Sequence, residues 1–268
     1  MSSIRFLVVG AAFVAVGAAA EQTVMNVTPP PGNFFAQKSY LSPADLPDGT
    51  AILPAPPAPG SAAEARDIEA QKAAVALRGT PRWDLARRDA DLFSPIVASV
   101  YSCAAGINLG AQTTPRINAL MLRAARDLAM ATRSTKAKYM RKRPFMVNGE
   151  PDCTPEQDKI LGNDGSYPSG HSAIGWGWGL ILAEVIPSRA TQLVARGRAF
   201  GDSRRICNVH WLYDTEEGRV AADAVLARMH ANPEFLADIA AARGEAAALA
   251  GKSEPTGCEA EAAALALH

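Results

Sequence analysis

An excess of either charge is the first thing this sequence lacks. Its 268 residues carry 27 Lys and Arg against 27 Asp and Glu. A general nucleic-acid binder would show a basic surplus, so that class is excluded. Long apolar runs are missing after residue 20, which excludes a protein with several membrane spans of about 20 apolar residues each. No run of residues alternates apolar and polar with period two, so strands are not expected. No two of the four cysteines, Cys103, Cys153, Cys207 and Cys258, stand as Cys-x-x-Cys, which argues against zinc. The chain is long enough to fold around its own core without a staple or a metal.

The N-terminus reads as an export signal. Arg5 precedes an uncharged apolar run from Phe6 to Ala20, and Ala18-Ala19-Ala20 before Glu21 is a small-residue cleavage site. Cleavage there leaves 248 residues with a net charge of −1. Residues 21–60 carry Pro29-Pro30-Pro31, Pro54, Pro56, Pro57 and Pro59, which forbid a regular helix or a central strand. An extended arm on the surface is expected there.

From Ser61 onward, helix signals dominate. Ser61 with Glu64 is a capping box, and Gly79 with Pro81 is a stop. Ser94-Pro95, Thr114-Pro115 and Asn232-Pro233 each place a cap residue before a first-turn proline. Ile117, Leu120, Met121, Ala124 and Leu128 form one apolar face. Ser172 to Ala183 is apolar nearly all round and suits a central buried helix. The expected class is an all-α single-domain bundle spanning 61–250, followed by an Ala-rich C-terminal tail at 251–268. The stretch from about 235 reads as a helix that frays. An even cysteine count in an exported chain suggests two disulfides, with three connectivities open.

Three segments carry chemistry, although each alone has a blander structural reading. Lys136 to Arg143 holds five cations and no acid. Ser169-Gly170-His171 stands at the entrance to the central apolar helix, where a hydroxyl and free backbone N–H groups make an anion site. Arg204 is followed by His210 and Asp214, four apart and thus on one face of a helix. Lys136, Arg143 and Arg204 suit phosphate oxygens, Arg through its planar fork. His210 could attack phosphorus while Asp214 keeps its other ring nitrogen protonated. His171 could give a proton to the departing alcohol. Lys138, Arg141 and Lys142 read as cations that steer anions, Trp176 and Trp178 as core, and His230 as a surface residue at a helix end. Asp202 and Asn208 lie beside site residues without an assigned role.

Taken together, Lys136-x6-Arg143-Pro144, Pro168-Ser169-Gly170-His171 and Ser203-Arg204-x5-His210-x3-Asp214 resemble the signature of the phosphatidic acid phosphatase type 2 superfamily, which also holds the vanadium haloperoxidases. GSYPSGHS at 165–172, ATRSTKAKYMRKRPF at 131–145 and ICNVHW at 206–211 are similar to the class A bacterial non-specific acid phosphatases. The likeness covers roughly residues 80–240. The class A motif usually ends in Thr where this chain has Ser172, and both residues carry a hydroxyl.

The resemblance implies a metal-independent, cofactor-free acid phosphatase of the periplasm, broad in its phosphomonoesters and with some phosphotransferase ability. His210 would form a phosphohistidine supported by Asp214, and His171 would act as acid and then base. Lys136, Arg143, Ser169, Gly170 and Arg204 would bind phosphate. Vanadate is expected to inhibit. Neither nucleic acid nor stable membrane insertion is expected, and self-association into a homo-oligomer is. Two alternatives are a vanadate-dependent haloperoxidase and a non-catalytic phosphate-binding protein. The resemblance also implies disulfides Cys153–Cys207 and Cys103–Cys258. Loops at 106–114 and 145–166 are the expected walls for the leaving group.

Overall fold

Helix caps and close glycine contacts organise the chain. A computed structural model describes residues 34–267. The expected signal peptide and the first part of the proline-rich arm lie outside those residues. The described residues contain helices and turns and no strand. Helices of seven residues or more are α1 (Ala62–Val75), α2 (Pro81–Asp89), α3 (Pro115–Met130), α4 (Arg133–Tyr139), α5 (Gly170–Val185), α6 (Ala190–Ile206), α7 (Leu212–Met229), α8 (Pro233–Leu249) and α9 (Cys258–Leu265).

The caps follow from side-chain chemistry. Ser61 Oγ accepts from the Glu64 N–H at 3.1 Å and starts α1. Asn232 Oδ1 accepts from the Glu234 N–H at 2.8 Å and starts α8. Gly79, at φ 76°, turns the chain in the left-handed region before Pro81 opens α2. Ser94-Pro95 opens no α-helix. Asp91 Oδ1 instead accepts from the Phe93 and Ser94 N–H groups, and this local turn delays winding until the 3-10 helix Val97–Tyr101.

The central helix α5 packs against α6, α7, α3 and α8. Its glycines let α6 come close. A methyl group added to Gly197 on α6 would stand 2.8 Å from the Gly175 carbonyl oxygen and 3.1 Å from the Gly179 Cα. Tyr101, Trp178 and Phe200 fill the space around this crossing, all fully buried. Trp178 donates its Nε1–H to the Met121 carbonyl at 2.7 Å, which is core behaviour. The expected apolar face of α3 is buried at all five positions.

Two terminal segments are better anchored than their composition suggests. The described part of the arm buries Phe34, Tyr40, Leu41 and Leu53 instead of lying wholly on the surface. The Tyr40 N–H donates to the buried carboxylate of Asp127 at 2.8 Å. The Ala-rich end forms α8 and α9, and it is tied rather than frayed. Phe235, Ile239, Ala242 and Ala246 make a buried stripe. Disulfide Cys103–Cys258 pins the start of α9, and Glu261 reaches Arg196 at 3.2 Å. The second disulfide is Cys153–Cys207, so both pairs implied by the resemblance are formed.

Candidate active site

The N-terminus of α5 and the turn between α6 and α7 meet the segment after α4. Ser169 caps α5, its Oγ accepting from the Ser172 N–H at 3.2 Å. Its own N–H donates to the Asp214 carbonyl at 2.9 Å, which ties the helix entrance to α7. Gly218 on α7 permits this approach, because a methyl group there would sit 2.5 Å from the Ser169 carbonyl oxygen. Ser169 is fully buried and Gly170, the first residue of α5, is half-buried.

The α6–α7 turn sets the second histidine. Asn208 takes φ 61°, a conformation that asparagine tolerates better than most residues. Its side-chain amide donates to the Glu150 carbonyl at 2.7 Å, and its Oδ1 accepts from Gln71 at 2.9 Å. The backbone N–H of His210 then returns to the Arg204 carbonyl at 3.3 Å. The sequence spacing implied that His210 and Asp214 share a helix face. The structure differs: α7 begins at Leu212, and His210 lies just before it. Asp214 in the first turn reaches back, accepting from the Trp211 N–H at 2.9 Å and standing 3.4 Å from His210 Nδ1.

Each histidine has a defined tautomer. Arg143 donates to His210 Nε2 at 3.1 Å, so that nitrogen offers a lone pair and Nδ1 carries the proton. His171 Nε2 lies 3.0 Å from the Ala90 carbonyl, which can only accept, so Nδ1 is left to gain or lose a proton. Both rings are held well below the ordinary histidine pKa. Burial is the first cause for each, followed by Arg204 for His171 and by Arg143, Lys136 and Arg204 for His210.

The cations differ in how they are satisfied. Arg143 is buried and donates to the carbonyls of Leu161, Asp164, Val209 and Gly165 as well as to Asp164 Oδ2. Lys136 contacts Asp164 and the Gly165 carbonyl, and burial with Arg143 nearby pulls its pKa down to about 8. Arg204 is fully buried, and none of its three side-chain nitrogens has a hydrogen-bond partner. Burial, reinforced by Arg143, lowers its pKa to about 9.

The eight site residues expected from the sequence therefore lie together, Gly170 and His171 half-buried and the other six buried. Four supporting residues were not legible. Arg141 does not serve as a steering cation, because it bridges Asp214 at 2.6 Å and Asp67 of α1 at 2.6 Å. Asp67 also accepts from the Tyr213 N–H at 2.8 Å. Behind Arg204, Asp89 accepts from Ser203 Oγ at 2.6 Å and from both terminal nitrogens of Arg196. Asp164 bridges Lys136 and Arg143. Asp202 instead pairs with Arg219 at 2.5 Å.

An all-helical scaffold gathers two histidines with depressed pKa values among buried cations, one of which has no hydrogen-bond partner. Comparison with known proteins makes this specific. Residues 119–236 match the PAP2 superfamily. The chain is 40% identical over 198 residues to an acid phosphatase of Zymomonas mobilis subsp. mobilis, covering 74% of this chain and 75% of that one. It is 40% identical over 225 residues to a non-specific acid phosphatase of Providencia stuartii, covering 82% and 90%. The non-specific acid phosphatase of Salmonella typhimurium is 37% identical over 207 residues, covering 77% and 83%. The chain belongs to the PAP2 superfamily, among the class A bacterial non-specific acid phosphatases, and is an acid phosphatase. Among the described residues, no helix is long and apolar enough to cross a membrane.

Proposed function

We propose that this phosphatase hydrolyses a broad range of phosphomonoesters through a phosphohistidine on His210, in the periplasm. The observation that carries this reading is Arg204, a fully buried guanidinium with no hydrogen-bond partner, beside the buried His210 and the half-buried His171. A buried charge is costly unless it is paired, so the site is complete only with an anion in it. Arg204, Lys136, Arg143 and the α5 N-terminus at Ser169 and Gly170 hold the phosphoryl oxygens.

The step begins with the Nε2 lone pair of His210 attacking phosphorus. The bond to the ester oxygen breaks, and that oxygen takes a proton from His171 Nδ1. Water then gives a proton to His171 and attacks phosphorus, the phosphorus–nitrogen bond breaks, and inorganic phosphate leaves. An alcohol in place of water gives phosphotransfer. The cations neutralise the developing charge on the phosphoryl oxygens, so the reading assigns no metal to the reaction. Every assigned contact falls on the phosphoryl group, which supports a broad range of leaving groups. Two disulfides and the signal-like N-terminus support export to an oxidising compartment.

The low pKa values of both histidines give the pH dependence a sign. His210 must be neutral to attack, and its depressed pKa keeps it so in acid. His171 must be protonated, so kcat/KM falls as pH rises through its depressed value, below about 6.5. The two apparent values belong to the pair. Turnover of p-nitrophenyl phosphate between about pH 5 and 7 tests this, with EDTA and with vanadate. Activity rising toward acid, unchanged by EDTA and inhibited by vanadate is expected. Loss in EDTA contradicts the metal-independent step, and full activity in vanadate contradicts the site.

Arg204→Met gives a second test. Removing an unpartnered buried charge should raise or preserve the unfolding temperature of the phosphate-free protein. Phosphate affinity should fall by roughly 30- to 100-fold, the value of a charge-assisted hydrogen-bonding group. Thermal unfolding with and without inorganic phosphate reads both effects. A variant that is destabilised yet still stabilised by phosphate would contradict the assignment.

A further inference from the structure

A carboxylate stands between two cations of the site. Asp164 Oδ2 accepts from Lys136 Nζ at 3.0 Å and from Arg143 Nη2 at 3.1 Å. These are two of the cations assigned to phosphate. The side chain of Asp164 is 50% exposed, against 10% for Lys136 and 1% for Arg143. We propose that Asp164 is the resident counter-anion of the pocket, that incoming phosphate displaces its carboxylate, and that it thereby limits phosphate affinity and promotes release of the product. This rests on the reading of Lys136 and Arg143 as phosphate ligands.

The local geometry separates a half-exposed carboxylate from a firmly held backbone. The Asp164 and Gly165 carbonyls accept from Arg143 Nε and Nη2, Lys136 also reaches the Gly165 carbonyl, and the Ser166 N–H donates to the Arg141 carbonyl at 2.9 Å. The loop backbone is therefore held without help from the carboxylate. The side chain hydrogen-bonds to these two cations and is half exposed to solvent. Asp214, the other carboxylate of the site, is the opposite case. It is fully buried and fixed by Arg141 and the Trp211 N–H.

Charge balance points the same way. Lys136, Arg143 and Arg204 present three positive charges, and Asp214 is held apart from them by Arg141, which it shares with Asp67. Asp152 and Asp89 act on Arg204 without a hydrogen bond to it. A phosphate dianion fits three cations. A carboxylate left between two of them would face the phosphoryl oxygens with like charge. Unopposed, three buried cations would also hold the product tightly. A carboxylate able to return offers the cations an alternative partner as phosphate leaves.

The test is the inhibition constant for inorganic phosphate and the KM for p-nitrophenyl phosphate in Asp164→Asn, at pH 6. Lys136, depressed to about 8, remains charged there. Asparagine keeps the size and one acceptor but removes the charge. Both constants are expected to fall by about tenfold, the scale of one nearby like charge in a partly shielded site. Asp164→Ser, which removes charge and reach together, should move both constants in the same direction. Unchanged or weaker phosphate binding in both variants, with unfolding temperatures like the parent, would overturn the proposal and leave Asp164 as a residue that merely positions the cations. Absence of phosphate inhibition in the parent protein would instead overturn the phosphate site itself, and this proposal with it.

Discussion

His210→Ala is expected to lower kcat for p-nitrophenyl phosphate by about ten-thousand-fold or more while the protein stays folded. The size follows from the role. In the proposed mechanism, removing the nucleophile removes the whole double-displacement route and leaves only binding and electrostatic stabilisation. The retained fold follows from the surroundings. Arg143 loses one acceptor at His210 Nε2, yet the same nitrogen still donates to the Val209 carbonyl at 3.0 Å. The Asn208 turn is held by Glu150 and Gln71, independently of the imidazole. Steady-state turnover beside circular dichroism reads both effects. Equal turnover in the two proteins would contradict the assignment of His210, and collapse of the fold would contradict this account of the turn.

Arg141→Ala is expected to cost about 3–5 kcal/mol of stability, because it strands two buried carboxylates at once. Asp67 and Asp214 are 1% and 0% exposed, and Arg141 is the guanidinium that joins them at 2.6 Å on each side. Activity should fall as well, by about a hundredfold or more, since Asp214 then loses the partner that aims it at His210 Nδ1. Arg141→Lys is the informative control. It keeps the charge but lacks the fork that spans both carboxylates, so it should recover only part of either loss. Chemical unfolding and kcat measured on both variants check this. A stable, fully active Arg141→Ala protein would restore Arg141 to the role of a steering surface cation.

Arg141 also shows where sequence reading stops. Lys138, Arg141, Lys142 and Arg143 sit in one short basic run, and nothing in that run distinguishes a solvent-facing cation from a buried one. The distinction is made by Asp67, more than seventy positions earlier on α1 and outside the stretch that resembles the phosphatases. The eight residues proposed for the site could be singled out because fixed short spacings join each segment to a particular turn or helix start. Asp164 and Asp89 were not, since their partners lie far away in the chain and single acidic residues are common on surfaces. The fold divides in the same way. Caps at Ser61 and Asn232 act within a few residues and could be read directly. The anchoring of the Ala-rich end could not, because it depends on small side chains in α8 and on a cysteine 155 positions away.

The central claim is a covalent bond between phosphorus and His210, and rapid acid-free quenching followed by peptide mass analysis tests it most directly. A phosphorylated substrate mixed with excess enzyme should leave a base-stable, acid-labile phosphoryl group on the peptide that contains His210. The adduct should appear and decay within one turnover, and it should be missing from His210→Ala. A turnover in which no phosphoryl group is found on the protein, or in which it is found on another residue, would contradict the account.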